Sequence, residues 1–282
     1  MSVAALRFMG MRNVRMWVSL VGLSVFSLTI LRFFPGKWVN DEYFLNGILG
    51  YAPVALIFYI AIYVCGLPTL EYFRLPRLSM KTLFAILVAS PIALGAMFYS
   101  GNEYKSWGLT ISGAIFVLSI GFGEEMVSRG FVYGVLTKIG QYKAMFISSF
   151  MFGLMHINVY LPSSVGWVTY WHVMSTFSFG LIMCALMVVT RSIWVPVVFH
   201  ALADWHIPFE KEIADTDEIE VDTSSLWENV TLPLSEFAIN LTGFILIMLI
   251  NRARPTKRMY RLALKWKLIH PPADNYALVR EN

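Results

Sequence analysis

The chain has 282 residues, of which 57% are hydrophobic and only 14% are charged, and its mean hydropathy is +0.61. A water-facing surface with so few charges would aggregate, so this composition excludes a soluble enzyme, a disordered scaffold and a nucleic-acid-binding module. The formal net charge of +4 is small, and basic residues gather at the chain ends and in short loops, where they indicate membrane topology.

Hydropathy predicts an all-α fold, a polytopic membrane helix bundle of about eight transmembrane helices. The first predicted span follows three arginines, and because no small-residue cleavage site comes after it, we interpret it as retained. We expect residues 1–250 to form a single transmembrane bundle and residues 251–282 to form a basic cytoplasmic tail. The predicted spans are residues 16–34, 43–66, 82–100, 107–137, 144–161, 167–190, 192–205 and 232–250.

The charges of the connecting segments predict which ends of the helices face the cytoplasm. The turns that contain Lys138, Lys143 and Arg191 are basic, and positively charged short loops stay on the cytoplasmic side. Residues 206–231 form an acidic non-membrane loop, which we place outside, and the tail is basic again. An even number of spans then joins two cytoplasmic termini. We also expect an integral protein of a prokaryotic plasma (inner) membrane, although topology alone does not give the source.

Ionisable and polar side chains lie inside three of the predicted spans, the fourth, the fifth and the seventh. One charged side chain at the centre of a bilayer costs at least about 2.5 kcal/mol, so such residues are functional candidates by default. Apolar helix packing alone would not have selected them. The candidate site residues are Glu124, Glu125, Arg129, Phe152, His156, His200 and Asp204.

Helical spacing separates the roles of the two carboxylates in the fourth span. Glu125 and Arg129 are four residues apart on one helix face, where an ion pair lowers the cost of burying either charge. Glu124 lies about 100° away around the helix and lacks that local partner. Glu124 is therefore the candidate general base, and Glu125 is the candidate supporting residue. Small residues that permit close helix approach around these carboxylates are Gly121, Gly123, Gly130 and Gly134.

The depth of the polar residues predicts that they meet. At a rise of about 1.5 Å per residue, Glu124 and His156 both lie roughly 20 Å from the turn that joins their two helices. His200 and Asp204 lie roughly 13 Å and 20 Å beyond the turn at Arg191, which is a comparable level. Two carboxylates and two imidazoles in one buried, hydrated pocket are the groups that activate a water molecule.

These residues resemble the signature of the CPBP family, the CAAX-prenyl-protease and bacteriocin-processing or Abi family of intramembrane endopeptidases. The first motif of that family, Glu-Glu-x-x-x-Arg, begins at Glu124, and the second, Phe-x-x-x-His, begins at Phe152. The last motif, His-x-x-x-Asn or Asp, begins at His200. The resemblance covers roughly residues 107–205, which we expect to form the catalytic core.

The resemblance implies an endopeptidase that hydrolyses a peptide bond in a membrane-associated peptide or protein terminus, within the lipid bilayer and without a cofactor. Glu124 and His156 would activate the water, while His200 and Asp204 would line the oxyanion pocket. Where the family often has Asn, which donates a hydrogen bond, this chain has Asp204, which donates none when ionised. Asp204 would instead orient His200 or stay protonated.

Other chemistries are open to the same cluster of residues. Glu, His, His and Asp side chains can ligate zinc, although the chain has no His-Glu-x-x-His motif. A non-catalytic membrane regulator of the same fold and a proton-coupled transporter are the alternative functions. The three remaining histidines, His172, His206 and His270, lie near span ends or in the tail, where we expect surface or interfacial positions.

Overall fold

The computed structural model describes residues 43–99, 107–157, 166–205 and 231–252, and four positions of the tail. Every regular element in these ranges is helical and none is a strand, which confirms the all-α fold class. The first predicted span, the acidic loop and most of the basic tail lie outside the described residues, as do His206 and His270.

Seven helices correspond to the seven predicted spans that begin at residue 43 or later. The helices are α1, Tyr43–Val64; α2, Met80–Tyr99; α3, Trp107–Glu125; α4, Gln141–Met155; α5, Gly166–Thr190; α6, Trp194–Ala203; and α7, Leu232–Arg252. A short 3-10 helix, Pro68–Tyr72, lies between α1 and α2. α3 continues beyond its last residue through a π-helical segment, Met126–Val132, one α-helical turn, Tyr133–Leu136, and a 3-10 turn, Thr137–Ile139.

α5 is the central helix of the bundle. It packs against α2, α4, α6 and α7, while α1 and α6 pack along α3. Every residue from Leu181 to Thr190 is buried, because this half of α5 carries mainly apolar side chains and touches neighbours on all sides. A helix that is apolar all round requires such a central position.

Three helices are long and apolar enough to cross a membrane, judged by length and composition over the described residues. They are Ile111–Ile139, Tyr170–Thr190 and Leu234–Arg252. The seventh predicted span is a helix of ten residues, Trp194–Ala203, and at about 15 Å it is shorter than a hydrocarbon core of about 30 Å. The protein is thus a helical membrane protein, and eight crossings stay a prediction.

The turns at the basic end of the bundle are tied together by backbone hydrogen bonds. The amide of Arg77 donates to the carbonyl of Thr190 at 3.1 Å, and the amide of Ile193 donates to the carbonyl of Tyr72 at 2.8 Å. Arg191 between them adopts a left-handed conformation with φ 57°. These bonds hold the start of α6 against the loop that follows α1, and α6 leads from there to the candidate site at its other end.

Candidate active site

Three helices bring the predicted ionisable residues together at one point. Glu124 lies near the end of α3, His156 directly follows α4, and His200 lies in the last turn of α6. Oε2 of Glu124 is 3.8 Å from Nε2 of His156 and 3.7 Å from Nε2 of His200. The expectation that Glu124 and His156 meet across the hairpin is confirmed.

The ring of His156 is oriented by its own helix. Its Nδ1 lies 2.9 Å from the carbonyl oxygen of Phe152, and because a carbonyl only accepts, Nδ1 carries the hydrogen. In the neutral ring Nε2 is then a free acceptor, and this atom faces Glu124. The Phe-x-x-x-His spacing therefore holds the imidazole by a bond between residues four positions apart.

The ring of His200 is held by carboxylates on both sides. Its Nδ1 donates to Oε1 of Glu125 at 2.9 Å, and its Nε2 lies 3.4 Å from Oδ2 of Asp204. From the sequence, Asp204 is expected either to orient His200 or to stay protonated. The structure shows that Glu125, from another helix, makes the shorter contact and is the principal orienting residue.

The predicted pair of Glu125 and Arg129 is present and fully buried. Nη1 of Arg129 lies 3.0 Å from Oε1 of Glu125, with both side chains 0% exposed, and Nη2 donates to the carbonyl of Gly180 at 3.1 Å. The guanidinium also lies over the ring of Phe152, 4.3 Å from its centroid. A buried charge needs this many partners, so the pair anchors α3 to α4 and α5.

The ring of Phe152 lies at the centre of the cluster. In addition to Arg129 on its face, it meets His156 and His200 edge to face, with centroid distances of 4.9 Å and 5.7 Å. Phe152 is buried, and its contacts set the spacing between the two imidazoles. Phe152 therefore has a packing role, because its ring contacts the side chains of Arg129, His156 and His200 at once.

Exposure separates the residues that can touch a substrate from those that support them. The side chains of Glu124, His156 and Asp204 are 12%, 25% and 22% exposed, whereas those of His200 and Glu125 are 5% and 0% exposed. Oε2 of Glu124 is itself buried and accepts no hydrogen bond from any described residue. A buried carboxylate oxygen requires a donor, so this atom is the point at which a water or substrate group can bind.

The helix that carries the two glutamates changes its geometry directly after them. The π-helical segment Met126–Val132 widens the turn, and such segments occur mostly at functional sites. Thr69, a buried residue of the 3-10 helix, donates its hydroxyl to the carbonyl of Gly130 at 2.6 Å. Hydropathy predicts a regular helix here, because nothing in the local sequence indicates that a distant threonine accommodates the π-helical carbonyl.

Small residues allow the helices of the site to approach closely, as predicted. A Cβ atom on Gly121 would lie 2.8 Å from the carbonyl oxygen of Val197 and 3.2 Å from the amide of Ala201, so α6 lies directly on α3 at this point. Gly123 lies in the same way against Tyr51 of α1. Gly153, which was not predicted, permits the corresponding approach of α4 to α5.

Two residues outside the motifs also border the site. The imidazole of His172 lies edge to face on that of His156, with centroids 5.4 Å apart, and His172 is exposed as predicted. Tyr51 of α1 packs against Gly123, the residue before Glu124. Neither has a motif signal, and Tyr51 is one of 13 tyrosines in the chain, so only the packing of the helices identifies them.

The side-chain geometry bears on the zinc alternative. Among the residues that the structure describes, no group of three or more His, Cys, Asp or Glu side chains is arranged to hold a metal ion. Oε2 of Glu124 faces the Nε2 atoms of both His156 and His200, and Nε2 of His200 also lies 3.4 Å from Oδ2 of Asp204. The zinc alternative stays a prediction, which chelation tests directly.

Comparison with known proteins supports the family predicted from the motifs. Residues 105–206 match the family model Rce1-like, described as type II CAAX prenyl endopeptidase Rce1-like. No curated protein matches the chain. The matched range contains all seven motif residues, from Glu124 to Asp204, and it confirms the resemblance to the CAAX-protease family. The match indicates a membrane-integrated hydrolase of the protease class.

Proposed function

We propose that the protein is an intramembrane endopeptidase that hydrolyses a peptide bond in a membrane-associated peptide or protein terminus. The observation that carries this proposal is the position of Oε2 of Glu124, between the Nε2 atoms of His156 and His200 at 3.8 Å and 3.7 Å. These distances are too long for direct hydrogen bonds, so Oε2 and an Nε2 atom can share one water molecule that lies to one side of both.

In the proposed first step, Glu124 removes a proton from a water molecule that also donates its other hydrogen to Nε2 of His156. The water oxygen forms a bond to the carbonyl carbon of the scissile peptide, and the carbonyl electron pair moves to its oxygen. When the tetrahedral intermediate collapses, the carbon–nitrogen bond breaks. The proton on Glu124 passes to the leaving nitrogen, which leaves a carboxyl terminus and an amine.

His200 is the proposed donor to the oxyanion. Its Nδ1–H bond to Glu125 holds the ring in place, so that a hydrogen on Nε2 points toward the same space as Oε2 of Glu124. A doubly protonated ring carries a positive charge, which the carboxylates of Glu124, Glu125 and Asp204 balance. Donors that are already oriented before the charge develops contribute a large part of catalysis.

We further propose that the protein lies in a prokaryotic plasma membrane with both termini in the cytoplasm.

The proposed reaction needs no metal, because Glu124 and His156 together supply the base and the orienting group for the water. Chelators should then leave cleavage unchanged, and added Zn²⁺ should not raise it. A loss of activity with a chelator that Zn²⁺ restores would support the zinc alternative instead.

The central test is cleavage by purified protein in proteoliposomes. Peptides ending in a prenylated cysteine motif, and unmodified membrane peptides, would be offered to the parent and to Glu124→Gln and His156→Ala. Loss of a general base costs about 10²- to 10⁴-fold in rate, so both variants should fall by at least about 100-fold. Glu236→Gln is the matched control, because this exposed carboxylate of α7 bonds Ser175 outside the site.

The same variants separate the alternative functions. A membrane regulator would give the same cellular phenotype with Glu124→Gln as with the parent, and would cleave no peptide. A proton-coupled transporter would show solute uptake that depends on a pH gradient and that Glu124→Gln abolishes. Cleavage that is equal in Glu124→Gln and parent would contradict the proposed protease.

A further inference from the structure

Tyr51 of α1 lies beside the catalytic carboxylate, although it is outside the matched range of the family. A Cβ atom on Gly123 would meet Cδ1 of Tyr51 at 3.0 Å and its backbone oxygen at 3.3 Å. Gly123 immediately precedes Glu124, and any larger residue at position 123 would displace the tyrosine. The close approach of α1 to α3 therefore places this aromatic ring at the edge of the site.

The charges around the phenol belong to the site. The phenol of Tyr51 lies within electrostatic range of the carboxylates of Glu124 and Asp204. Tyr51 is half-buried, and its ring packs on the residue that precedes Glu124. A phenol is a hydrogen-bond donor at neutral pH, which neither of these carboxylates is when ionised.

The last motif of this chain supplies fewer hydrogen-bond donors to the oxyanion than a motif that ends in asparagine. An oxyanion is stabilised best by two or more donors fixed around it. His200 offers one through Nε2, and the last motif ends in Asp204, which supplies no hydrogen when ionised. A donor from another helix would complete the pair.

We propose that Tyr51 is a catalytic residue whose hydroxyl donates the second hydrogen bond to the oxyanion, in the place that a motif asparagine would otherwise fill. The inference rests on the proposed endopeptidase function. Its physical basis is the packing of the Tyr51 ring on Gly123, directly before Glu124, and the Asp at the end of the last motif.

The first experiment compares Tyr51→Phe with Tyr59→Phe in the peptide-cleavage assay. Tyr51→Phe retains the ring that packs on Gly123 and removes only the hydroxyl, so the protein should fold normally. Removal of one oxyanion donor costs about 10²- to 10³-fold in kcat, and we expect a loss of about 100-fold with KM changed less than about threefold. Tyr59, on the same helix, is exposed and packs edge to face on Phe73, so its hydroxyl should not matter.

The second experiment tests whether an amide replaces the phenol. Asp204→Asn adds a side-chain donor at the end of the last motif, so the double variant Tyr51→Phe with Asp204→Asn should regain at least about tenfold of the lost kcat. A peptide aldehyde, whose hydrate imitates the tetrahedral intermediate, should bind Tyr51→Phe more weakly than the parent. Its affinity for the double variant should be restored toward that of the parent. A purely structural tyrosine would give no rescue.

The outcomes separate the inference from the function on which it rests. If Glu124→Gln cleaves as the parent does, the protease itself is contradicted. If Glu124→Gln is inactive while Tyr51→Phe keeps the parental kcat, the protease stands and the role of Tyr51 is wrong. The role is equally wrong if Tyr51→Phe loses activity and Asp204→Asn restores none of it.

Discussion

Adjacent glutamates in this chain have opposite surroundings. Oε1 of Glu125 lies 3.0 Å from Nη1 of Arg129 and 2.9 Å from Nδ1 of His200, and the Glu125 side chain is fully buried. Oε2 of Glu124 is not bonded to any described residue and faces the two Nε2 atoms. One step along the helix therefore separates a carboxylate whose Oε1 contacts both Arg129 and His200 from one whose Oε2 has no hydrogen-bond partner among the described residues.

This difference predicts opposite effects on stability for the same chemical change. Glu125→Gln removes the charge that balances buried Arg129, and breaking a buried pair costs about 3–5 kcal/mol when one partner is lost. Glu124→Gln should abolish cleavage and leave the free energy of unfolding unchanged within about 1 kcal/mol, because Oε2 of Glu124 has no hydrogen-bond partner among the described residues that the change would remove. Thermal unfolding of both variants in detergent measures the contrast, and equal destabilisation would contradict it.

Two elements of the bundle depend on contacts between distant parts of the chain. The π-helical segment accommodates the carbonyl of Gly130 through the hydroxyl of Thr69, 61 residues earlier. α6 is held on α3 because Gly121 lacks a side chain. In both cases a small change in one element would move residues of the site that lie on another.

Thr69→Val is expected to destabilise the protein by about 1–3 kcal/mol, because it leaves a buried carbonyl without its donor at nearly constant volume. Thr242→Val is the matched control, since the Thr242 hydroxyl makes a bond of 2.7 Å to Ala238 on an exposed face of α7. Chemical or thermal unfolding in detergent compares the two. A loss in Thr242→Val as large as that in Thr69→Val would show that the bond to Gly130 has no special role.

Gly121→Ala is expected to reduce both stability and cleavage. The added methyl group would lie 2.8 Å from the backbone oxygen of Val197, so α6 must shift and carry His200 with it. Overpacking costs about 1–3 kcal/mol, and a displacement of about 1 Å at a catalytic group can cost 10²-fold in rate.

Gly95→Ala serves as the control for Gly121→Ala. A Cβ atom at Gly95 has nothing within 4 Å, and alanine is the better helix former, so this variant should keep full activity and equal or higher stability. Parental kcat in Gly121→Ala would show that α6 does not need this close approach.

At the scale of the whole molecule, the ends of the helices define two poles. α4 and α6 both end at the candidate site, at Met155 and Ala203, whereas the basic turns with Lys138, Lys143 and Arg191 lie at their other ends. The described residues before the acidic loop end at Trp205, at the site pole. If basic turns face the cytoplasm, as we predict, the site lies nearer to the opposite side of the membrane.

Cysteine labelling in intact cells tests this arrangement. In a parent without its two native cysteines, Ile157→Cys next to the site and Ser224→Cys in the acidic loop should react with a membrane-impermeant thiol reagent. Ala273→Cys in the basic tail should react only after the cells are permeabilised. Reaction of Ala273→Cys from outside, or protection of Ser224→Cys, would contradict the predicted topology.

Local spacing and composition were sufficient to predict a large part of this protein. Two contacts follow from the spacing of four residues within a single helix, because neither depends on another helix. They are the pair of Glu125 and Arg129 and the pair of Phe152 and His156. The helical class and the start of each described span follow from hydropathy in the same way. The convergence of Glu124 and His156 could also be predicted, since a short turn fixes the relative depth of two adjacent helices.

The tertiary structure decided how these local units are joined. The bond from His200 to Glu125, the hydroxyl of Thr69 on the π-helical segment and the approach of Tyr51 to Gly123 each connect residues more than 60 positions apart. No local pattern contains such contacts, because they depend on which helix faces pack and how closely backbones approach. The motifs therefore identify the reactive groups, whereas the packing of the bundle determines the orientation and the partners of these groups.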